Sequence, residues 1–221
     1  MKKDEKSGAS NRTAFCEEEL SGQCIADHTY DLNTSKPALL LHSCCGPCST
    51  AVVCDLIHSY SITVYFYNPN ITDHEEYQKR MESQKRFIEE YNDSLRKVDN
   101  VGFIEGPYEP QSFYDEVKGF EGEPECGERC RKCFYMRLDK TAGAAKLGGF
   151  DCFATTLSVS PYKNHGVLSE IIQDLCLRYK IGAVDKDYGQ NSGYQRSVEL
   201  SRKYFLYRQN YCGCGFSKGE K

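Results

Sequence analysis

Short apolar runs alternate with longer amphipathic stretches through the first half of the chain. The first run is too continuously apolar for an edge strand, and the second is rich in β-branched and aromatic residues. We therefore predict three strands, at Ala38–Ser43, Ser61–Tyr67 and Val101–Ile104. The stretches between them predict two helices, one from Cys48 to about His58 and one from a cap at Thr72 or Asp73 to about Tyr91. This β-α-β-α-β order is typical of a doubly wound parallel sheet.

The second half of the chain continues the alternation after a polar, glycine-rich loop at Gly119–Glu128. The predicted elements are a helix at Cys130–Lys146 that ends at Gly148-Gly149, a strand at Asp151–Leu157, a helix at His165–Tyr179, a short strand at Ala183–Val184 and a helix at Gln195–Tyr204. We predict one α/β domain over residues 37–221. Residues 1–36 are polar and lack a periodic pattern, so we predict a flexible extension, whose Cys16 and Cys24 match no ligand spacing.

The composition changes this picture in one respect, because the 221 residues include 13 cysteines. No apolar run reaches the length of a membrane helix, and no apolar stretch follows the charged N-terminus as in a signal peptide. We therefore expect a cytoplasmic protein, in which so many thiols indicate metal ligation or redox chemistry. The formal net charge of −4 does not suggest a general nucleic-acid binder, although it leaves room for a local basic patch.

Most of these cysteines fall into three groups. They are Cys44-Cys45-x-x-Cys48 after the first strand, Cys126 with Cys130-x-x-Cys133 at a helix start, and Cys212-x-Cys214 near the C-terminus. A helix N-terminus after Cys45 would favour thiolates, which either bind soft metals or exchange disulfides. Adjacent cysteines and this surplus of thiols suit a bulky cluster or two neighbouring metals better than one zinc ion.

The thiol groups and the loops around them resemble one family, the epoxyqueuosine reductase QueH family. The resemblance covers residues 38 to about 217 and rests on five motifs. They are His42-x-Cys44-Cys45-Gly46-Pro47-Cys48, Tyr67-Asn68-Pro69-Asn70-Ile71, Arg129-Cys130-x-x-Cys133, Thr155-Thr156-Leu157-x-x-Ser160-Pro161-Tyr162 and Tyr207-Arg208-Gln209-x-Tyr211-Cys212-Gly213-Cys214.

The resemblance implies a Rossmann-like fold of the HUP type and an iron–sulfur enzyme. The implied reaction reduces the epoxide of epoxyqueuosine, at the wobble position of tRNA, to the alkene of queuosine, with a low-potential electron donor that the sequence does not identify. By the same resemblance, Cys44, Cys45, Cys130 and Cys133 hold a [4Fe–4S] cluster. The resemblance also implies that Cys48, Cys212 and Cys214 hold an adjacent mononuclear iron.

The reaction also needs a proton donor, and three residues in loops after strands are candidates: Tyr162, His165 and Asp187. Each also has a structural interpretation, since His165 can cap a helix and Tyr162 can pack. Two sets of residues are candidates for contacting RNA. The first consists of Tyr204, Tyr207, Arg208 and Tyr211, and its alternative interpretation is an aromatic helix face packed in the core. A second set surrounds the helical cysteines and would otherwise be a solvated helix face; it consists of Arg129, Arg131, Lys132, Arg137 and Lys140.

Two other classes of function remain open from the residues themselves. An ATP-dependent nucleotide-modifying enzyme would place a glycine- and serine-rich phosphate loop after the first strand, where this chain has thiols. A zinc-stabilised RNA-binding module would use the cysteines without catalysis. The dinucleotide fingerprint G-x-G-x-x-G is absent from the sequence, so we predict no bound nicotinamide.

Overall fold

A five-stranded, wholly parallel sheet forms the centre of the computed structural model, which describes residues 36–95, 99–190 and 192–218. Its strands are β1 (Ala38–His42), β2 (Ser61–Phe66), β3 (Gly102–Glu105), β4 (Cys152–Thr155) and β5 (Gly182–Val184). Their order in the sheet is β3-β2-β1-β4-β5. The predicted extension lies outside the described residues except for Lys36.

Helices cover both faces of this sheet. They are α1 (Gly46–Leu56), α2 (His74–Asn92), α3 (Pro110–Glu116), α4 (Glu128–Leu147), α5 (His165–Tyr179) and α6 (Gly193–Lys203). Alternate residues of β1 point to opposite faces, so Leu39 and Leu41 pack with α1 and α2, whereas Leu40 packs with α4 and α5. The predicted α/β class with a doubly wound parallel sheet is confirmed. None of the helices in the described part of the chain combines the length and apolar composition that a bilayer span requires.

Several predicted boundaries were wrong by a few residues. Helix α1 begins at Gly46 rather than Cys48, because Pro47 suits a first helical turn, where its missing N–H costs no hydrogen bond. Strand β4 ends at Thr155, and a 3₁₀ turn over Leu157–Val159 replaces the rest of the predicted strand. Of the two candidate caps of α2, Asp73 is the one used, since its carboxylate accepts the N–H groups of the first turn.

The strand order places a topological switch point at β1. This strand pairs with β2 on one side and with β4 on the other, so the loops after β1 and β4 leave the sheet towards opposite faces. A crevice therefore opens beyond the carboxyl ends of these strands, where doubly wound proteins bind their ligands. The thiol-rich turn after β1 lies at this crevice.

The start of α1 is pressed against α2, and this contact gives a test of the packing. A Cβ atom on Gly46 would lie 2.7 Å from the carbonyl oxygen of Ser83, so Gly46→Ala should lower the free energy of unfolding by about 1–3 kcal/mol. The matched control is Gly143→Ala inside α4, where a Cβ atom would lie 3.4 Å or more from its three nearest atoms, all in the Tyr179 side chain. This second change should stabilise the protein by about 0.5–1 kcal/mol. Urea unfolding measures both, and equal effects would contradict the predicted packing.

Candidate metal centre

The turn after β1 carries three thiols in close contact. The Sγ atoms of Cys44, Cys45 and Cys48 all lie within 4.8 Å of one another. The backbone of Cys45 is extended and Pro47 lies in the first turn of α1, so the chain passes directly from the strand into a helix N-terminus. Three thiols this close, at the positive end of a helix dipole, form a suitable ligand set for a soft metal.

Hydrogen bonds among the three thiols lower the pKa of one of them and raise the pKa of the other two. The bonds to Cys45 and Cys48 hold the pKa of the Cys44 thiol well below its ordinary value. The bond to Cys44 raises the pKa of Cys45 to about 12, and it also raises the pKa of Cys48. The turn therefore stabilises one thiolate and keeps two protons that a binding metal would displace.

His42, the last residue of β1, forms hydrogen bonds to the two neighbouring chain segments next to this turn. Its ring is fully buried, with Nε2 3.1 Å from the carbonyl oxygen of Tyr67 and Nδ1 3.0 Å from Oγ1 of Thr155. Because a carbonyl can only accept, Nε2 carries the proton and Nδ1 accepts from the threonine hydroxyl. Burial, with a further contribution from Arg137, lowers the pKa of His42 to about 3. A neutral imidazole thus joins β1 to β4 and to the residue after β2.

A cavity of about 220 Å³ opens above this turn and gathers thiols from all three sequence groups. Seven cysteines line it: Cys44, Cys48, Cys126, Cys130, Cys133, Cys212 and Cys214. Cys45 lies behind this wall, fully buried, and its Sγ accepts a hydrogen bond of 3.0 Å from the Gln209 amide. The structure thus brings the turn after β1 together with the start of α4 and the C-terminal turn.

Helix α4 supplies the second thiol group. Cys130 and Cys133 are three residues apart and both face the cavity. The backbone N–H of Cys126 donates to the Sγ of Cys130 over 3.3 Å, and the Cys126 thiol itself donates to the carbonyl of Tyr162 over 2.7 Å. Burial raises the pKa of Cys133 to about 11. Cys126 thus ties the start of α4 to the loop after β4, at the exposed edge of the cavity.

The C-terminal turn supplies the third thiol group. The Sγ atoms of Cys212 and Cys214 lie 3.4 Å apart, and Gly213 between them has a φ of 115°, a conformation that favours glycine. Their shared hydrogen bond lowers the pKa of Cys212 to about 5 and raises that of Cys214. This pair therefore also stabilises one thiolate.

A buried arginine on α2 holds this turn in place. The guanidinium of Arg80 donates to the carbonyl oxygens of Cys212 and Tyr211 over 3.0 and 3.1 Å. Its Nε donates to Glu76 over 2.6 Å, and the other oxygen of this carboxylate accepts the hydroxyl of Tyr207 over 2.7 Å. We call these five residues the arginine clamp. The clamp determines where the C-terminal thiols stand relative to the rest of the site.

The wall of the cavity carries an excess of positive charge. Its cationic residues are Arg80, Arg129, Arg137, Lys163 and Arg208, and its acidic residue is Glu125. The three side chains of Arg80, Arg129 and Arg137 are 1–2% exposed, which is costly for a cation without anionic compensation. Nε and Nη2 of Arg129 have no hydrogen-bond partner among the described residues. Anionic contents, such as metal-bound thiolates, would provide this compensation.

The three candidate proton donors lie in different surroundings. Tyr162 lines the cavity, although its side chain is 55% exposed at the edge. His165 and Asp187 are not among the residues that line the cavity. The Nε2 of His165 lies 3.0 Å from a carboxylate oxygen of Asp185, and Asp187 accepts hydrogen bonds from the two residues that follow Tyr188. The structure thus brings Tyr162 together with the thiols and leaves the other two outside the cavity.

The two candidate RNA-contact sets also divide. Tyr204 belongs to the apolar core and Tyr207 to the arginine clamp, whereas Arg208 and Tyr211 line the cavity. Around the helical cysteines, Arg129 and Arg137 are buried in the cavity wall. Of the others, Arg131 pairs with Glu170, Lys132 pairs with Glu116, and Lys140 lies over the ring of Tyr67.

Three polar residues that line the cavity, Arg80, Gln209 and Lys163, were not predicted to belong to the site. Arg80 sits on a strongly charged helix and gave no signal, because its burial depends on a segment more than a hundred residues away. Gln209 belongs to the C-terminal motif of the family resemblance, but its hydrogen bond to Cys45 was not predicted. Lys163 directly follows Tyr162, and its place in that loop was the available signal.

Comparison with known proteins gives one consistent result. A family model described as "Epoxyqueuosine reductase QueH" matches residues 39–220. A Streptococcus pyogenes serotype M1 protein named "Epoxyqueuosine reductase QueH" is 40% identical over 188 residues, which are 85% of this chain and 73% of that protein. Proteins of the same name from Staphylococcus aureus and Thermotoga maritima are 42% and 32% identical, over 82% and 83% of this chain and 76% and 91% of their own lengths. The chain therefore belongs to the epoxyqueuosine reductase QueH family.

Proposed function

We propose that this protein reduces the epoxide of epoxyqueuosine in tRNA to the alkene of queuosine, the last step of queuosine synthesis. The observation that carries the proposal is the cavity in which seven thiols from three chain segments meet five cationic side chains. Membership of the family supplies the substrate, since its relatives are named for epoxyqueuosine reduction. A reaction of this kind suits the reducing cytoplasm, where so many thiols stay unpaired.

The donor set fits a thiolate-bound metal centre. In this proposal Cys44, Cys45, Cys130 and Cys133 hold a [4Fe–4S] cluster, and Cys48, Cys212 and Cys214 hold an adjacent iron. When bound, the cluster supplies electrons one at a time, and an iron with an open position supplies a Lewis acid. Cys48 is within 4.8 Å of both Cys44 and Cys45, so this ligand of the proposed second iron adjoins two of the cluster ligands.

The protein's own residues have two further tasks. Arg129 and Arg137 offset the negative charge of the thiolates, which explains why these arginines can be buried with no carboxylate partner among the residues that the structure describes. Tyr162, Arg208 and Tyr211 line the same cavity and offer stacking surfaces and a cation to a nucleotide of a single-stranded anticodon loop. The cavity volume of about 220 Å³ is smaller than pockets for drug-sized ligands, which measure about 300–1,000 Å³. Such a space suits a metal centre and the small ring of the substrate, with the base held at the edge.

The direct test is a turnover experiment under anaerobic conditions. The purified protein should be brown and contain iron and sulfide in amounts near those of one cluster plus one iron. After reduction by a low-potential donor, it should convert tRNA that carries epoxyqueuosine into tRNA that carries queuosine, as detected by mass spectrometry of the digested nucleosides.

The alternatives give different results in the same experiment. A colourless protein with stoichiometric zinc that binds RNA without converting it would indicate a zinc-stabilised RNA-binding module. Turnover that requires ATP and not a reductant would indicate a nucleotide-modifying enzyme of another class. Either result would overturn the proposed reduction.

A further inference from the structure

One cation of the cavity wall, Lys163, has no partner among the described residues, and the proposed function gives it no role. Lys163 stands in the loop between the 3₁₀ turn after β4 and the start of α5, with a half-buried side chain. Its backbone is fixed, because its N–H donates to the carbonyl oxygen of Ser160 over 3.1 Å and the next residue, Asn164, caps α5. Within the described ranges, no hydrogen bond or ion pair engages its ammonium group. A fixed backbone with an unengaged ammonium group at a cavity is suited to meet a ligand.

The other cations of the wall are engaged differently. Arg80 is bound to Glu76 and Arg208 donates to the hydroxyl of Ser201 over 3.0 Å. Arg129 and Arg137 are almost fully buried and each donates to backbone carbonyl oxygens near the start of α4. A guanidinium also keeps its protons in proteins, whereas an ammonium can give one up and regain it. Lys163 is therefore the cavity cation that is chemically able to transfer a proton.

Lys163 shares its cavity with thiols of all three groups. Cys44, Cys133 and Cys212 line the same cavity as Lys163, and each belongs to a different one of the three thiol groups. A ligand that enters among these thiols therefore meets the part of the wall that carries Lys163.

We propose that Lys163 is the proton donor to the epoxide oxygen. The inference rests on the proposed function, in which the substrate's small ring enters this cavity. As the first C–O bond breaks, the oxygen takes a proton from the ammonium group and becomes a hydroxyl, leaving a neutral amine. The amine regains a proton from solvent at the cavity edge, and a second proton accompanies the departure of the oxygen as water. The two electrons come from the low-potential donor, so the sum is epoxide plus two electrons and two protons to alkene plus water.

The first experiment compares Lys163→Met and Lys163→Arg with the unchanged enzyme, all loaded with metal. Single-turnover rates with tRNA that carries epoxyqueuosine should fall by about 10²–10⁴-fold in both variants, because a guanidinium keeps the charge but is a poor proton donor. Iron and sulfide content, the electron paramagnetic resonance spectrum of the reduced protein and the affinity for tRNA should stay within about threefold. The control is Lys146→Met, at the opposite end of α4 from the cysteines, where the ammonium donates to a backbone carbonyl. This variant should retain full activity.

A rescue experiment separates proton transfer from a structural effect. Added ethylammonium should raise the single-turnover rate of Lys163→Ala by at least about tenfold, because a small ammonium ion can occupy the space of the missing side chain. It should leave the rate of the unchanged enzyme unaffected. Wild-type rates in Lys163→Arg, or no rescue of Lys163→Ala, would overturn the assignment of Lys163 while the unchanged enzyme still forms queuosine. If the unchanged enzyme forms no queuosine, the proposed function fails instead.

Discussion

Replacing Cys133 by alanine is expected to remove both the brown colour and all queuosine formation. Cys133 and Cys176 give a matched pair, because both lie on helices that cover the same face of the sheet and are 7% and 6% exposed. Only the first of the two is among the residues that line the thiol cavity. In the proposed centre a [4Fe–4S] cluster needs four thiolates, so the loss of one leaves an iron without its ligand.

Cys176→Ala is the control that separates loss of a metal ligand from loss of a buried side chain. Cys176→Ala removes a buried sulfur of the same size, so it costs similar packing energy but should leave iron, sulfide and product formation unchanged. Cys54→Ala on α1, outside the cavity, should behave in the same way. If Cys133→Ala kept the colour and the activity, or if Cys176→Ala lost them, the proposed ligand set would be incorrect. Metal analysis and nucleoside mass spectrometry on anaerobic samples measure these outcomes.

Replacing Arg80 by methionine is expected to destabilise the protein by about 3–5 kcal/mol, because it leaves the buried carboxylate of Glu76 without its partner. The side chains of this pair are 1% and 9% exposed. The carbonyl oxygens of Cys212 and Tyr211 lose their donors in the same change. The C-terminal thiols should therefore lose their position, and the metal-loaded variant should contain less of the second iron than of the cluster.

The same helix supplies the control. Arg86 and Glu90 of α2 have the same i, i+4 spacing with N and O atoms 2.7 Å apart, but their side chains are 50% and 40% exposed. Arg86→Met should change the free energy of unfolding by less than about 1 kcal/mol. Urea unfolding of both variants in the same metal state tests the difference. A second check is Glu76→Gln combined with Arg80→Met, which should recover part of the loss because no charge is then buried alone. Equal effects of Arg80→Met and Arg86→Met would contradict the clamp.

The sequence allowed the parallel sheet to be predicted for a simple reason, whereas the meeting of the three thiol groups was implied by the family resemblance. The alternation of apolar runs and amphipathic stretches determines a parallel sheet, and the carboxyl ends of parallel strands lie at one edge. Cys44 and Cys45 follow β1 and Tyr162 follows β4, and these two strands are neighbours in the sheet, which brings the three residues to the same edge. Helix α3 was missed because seven residues with an initial proline present too few turns for a periodic pattern.

The charged part of the site was harder to predict, also for a physical reason. Arg80 and Arg86 belong to one polar helix and carry the same group, and one is buried while the other is exposed. What separates them is the C-terminal segment that packs over Arg80, a contact between distant parts of the chain. Periodicity reports which face of a helix is apolar, but it does not report where a later segment will cover a charged one.

The central position of β1 in the sheet affects which part of the site undergoes local opening first. This strand is hydrogen-bonded on both sides, so we expect its amide protons to exchange only when the sheet itself opens. The turn of Cys212 and Cys214 is held by side-chain contacts and can detach in a smaller, local fluctuation. The two halves of the site therefore differ in their opening free energies. Of these two turns, the C-terminal one is therefore expected to open and react first with oxidants and chelators, whereas the thiols after β1 are held at the end of a central strand.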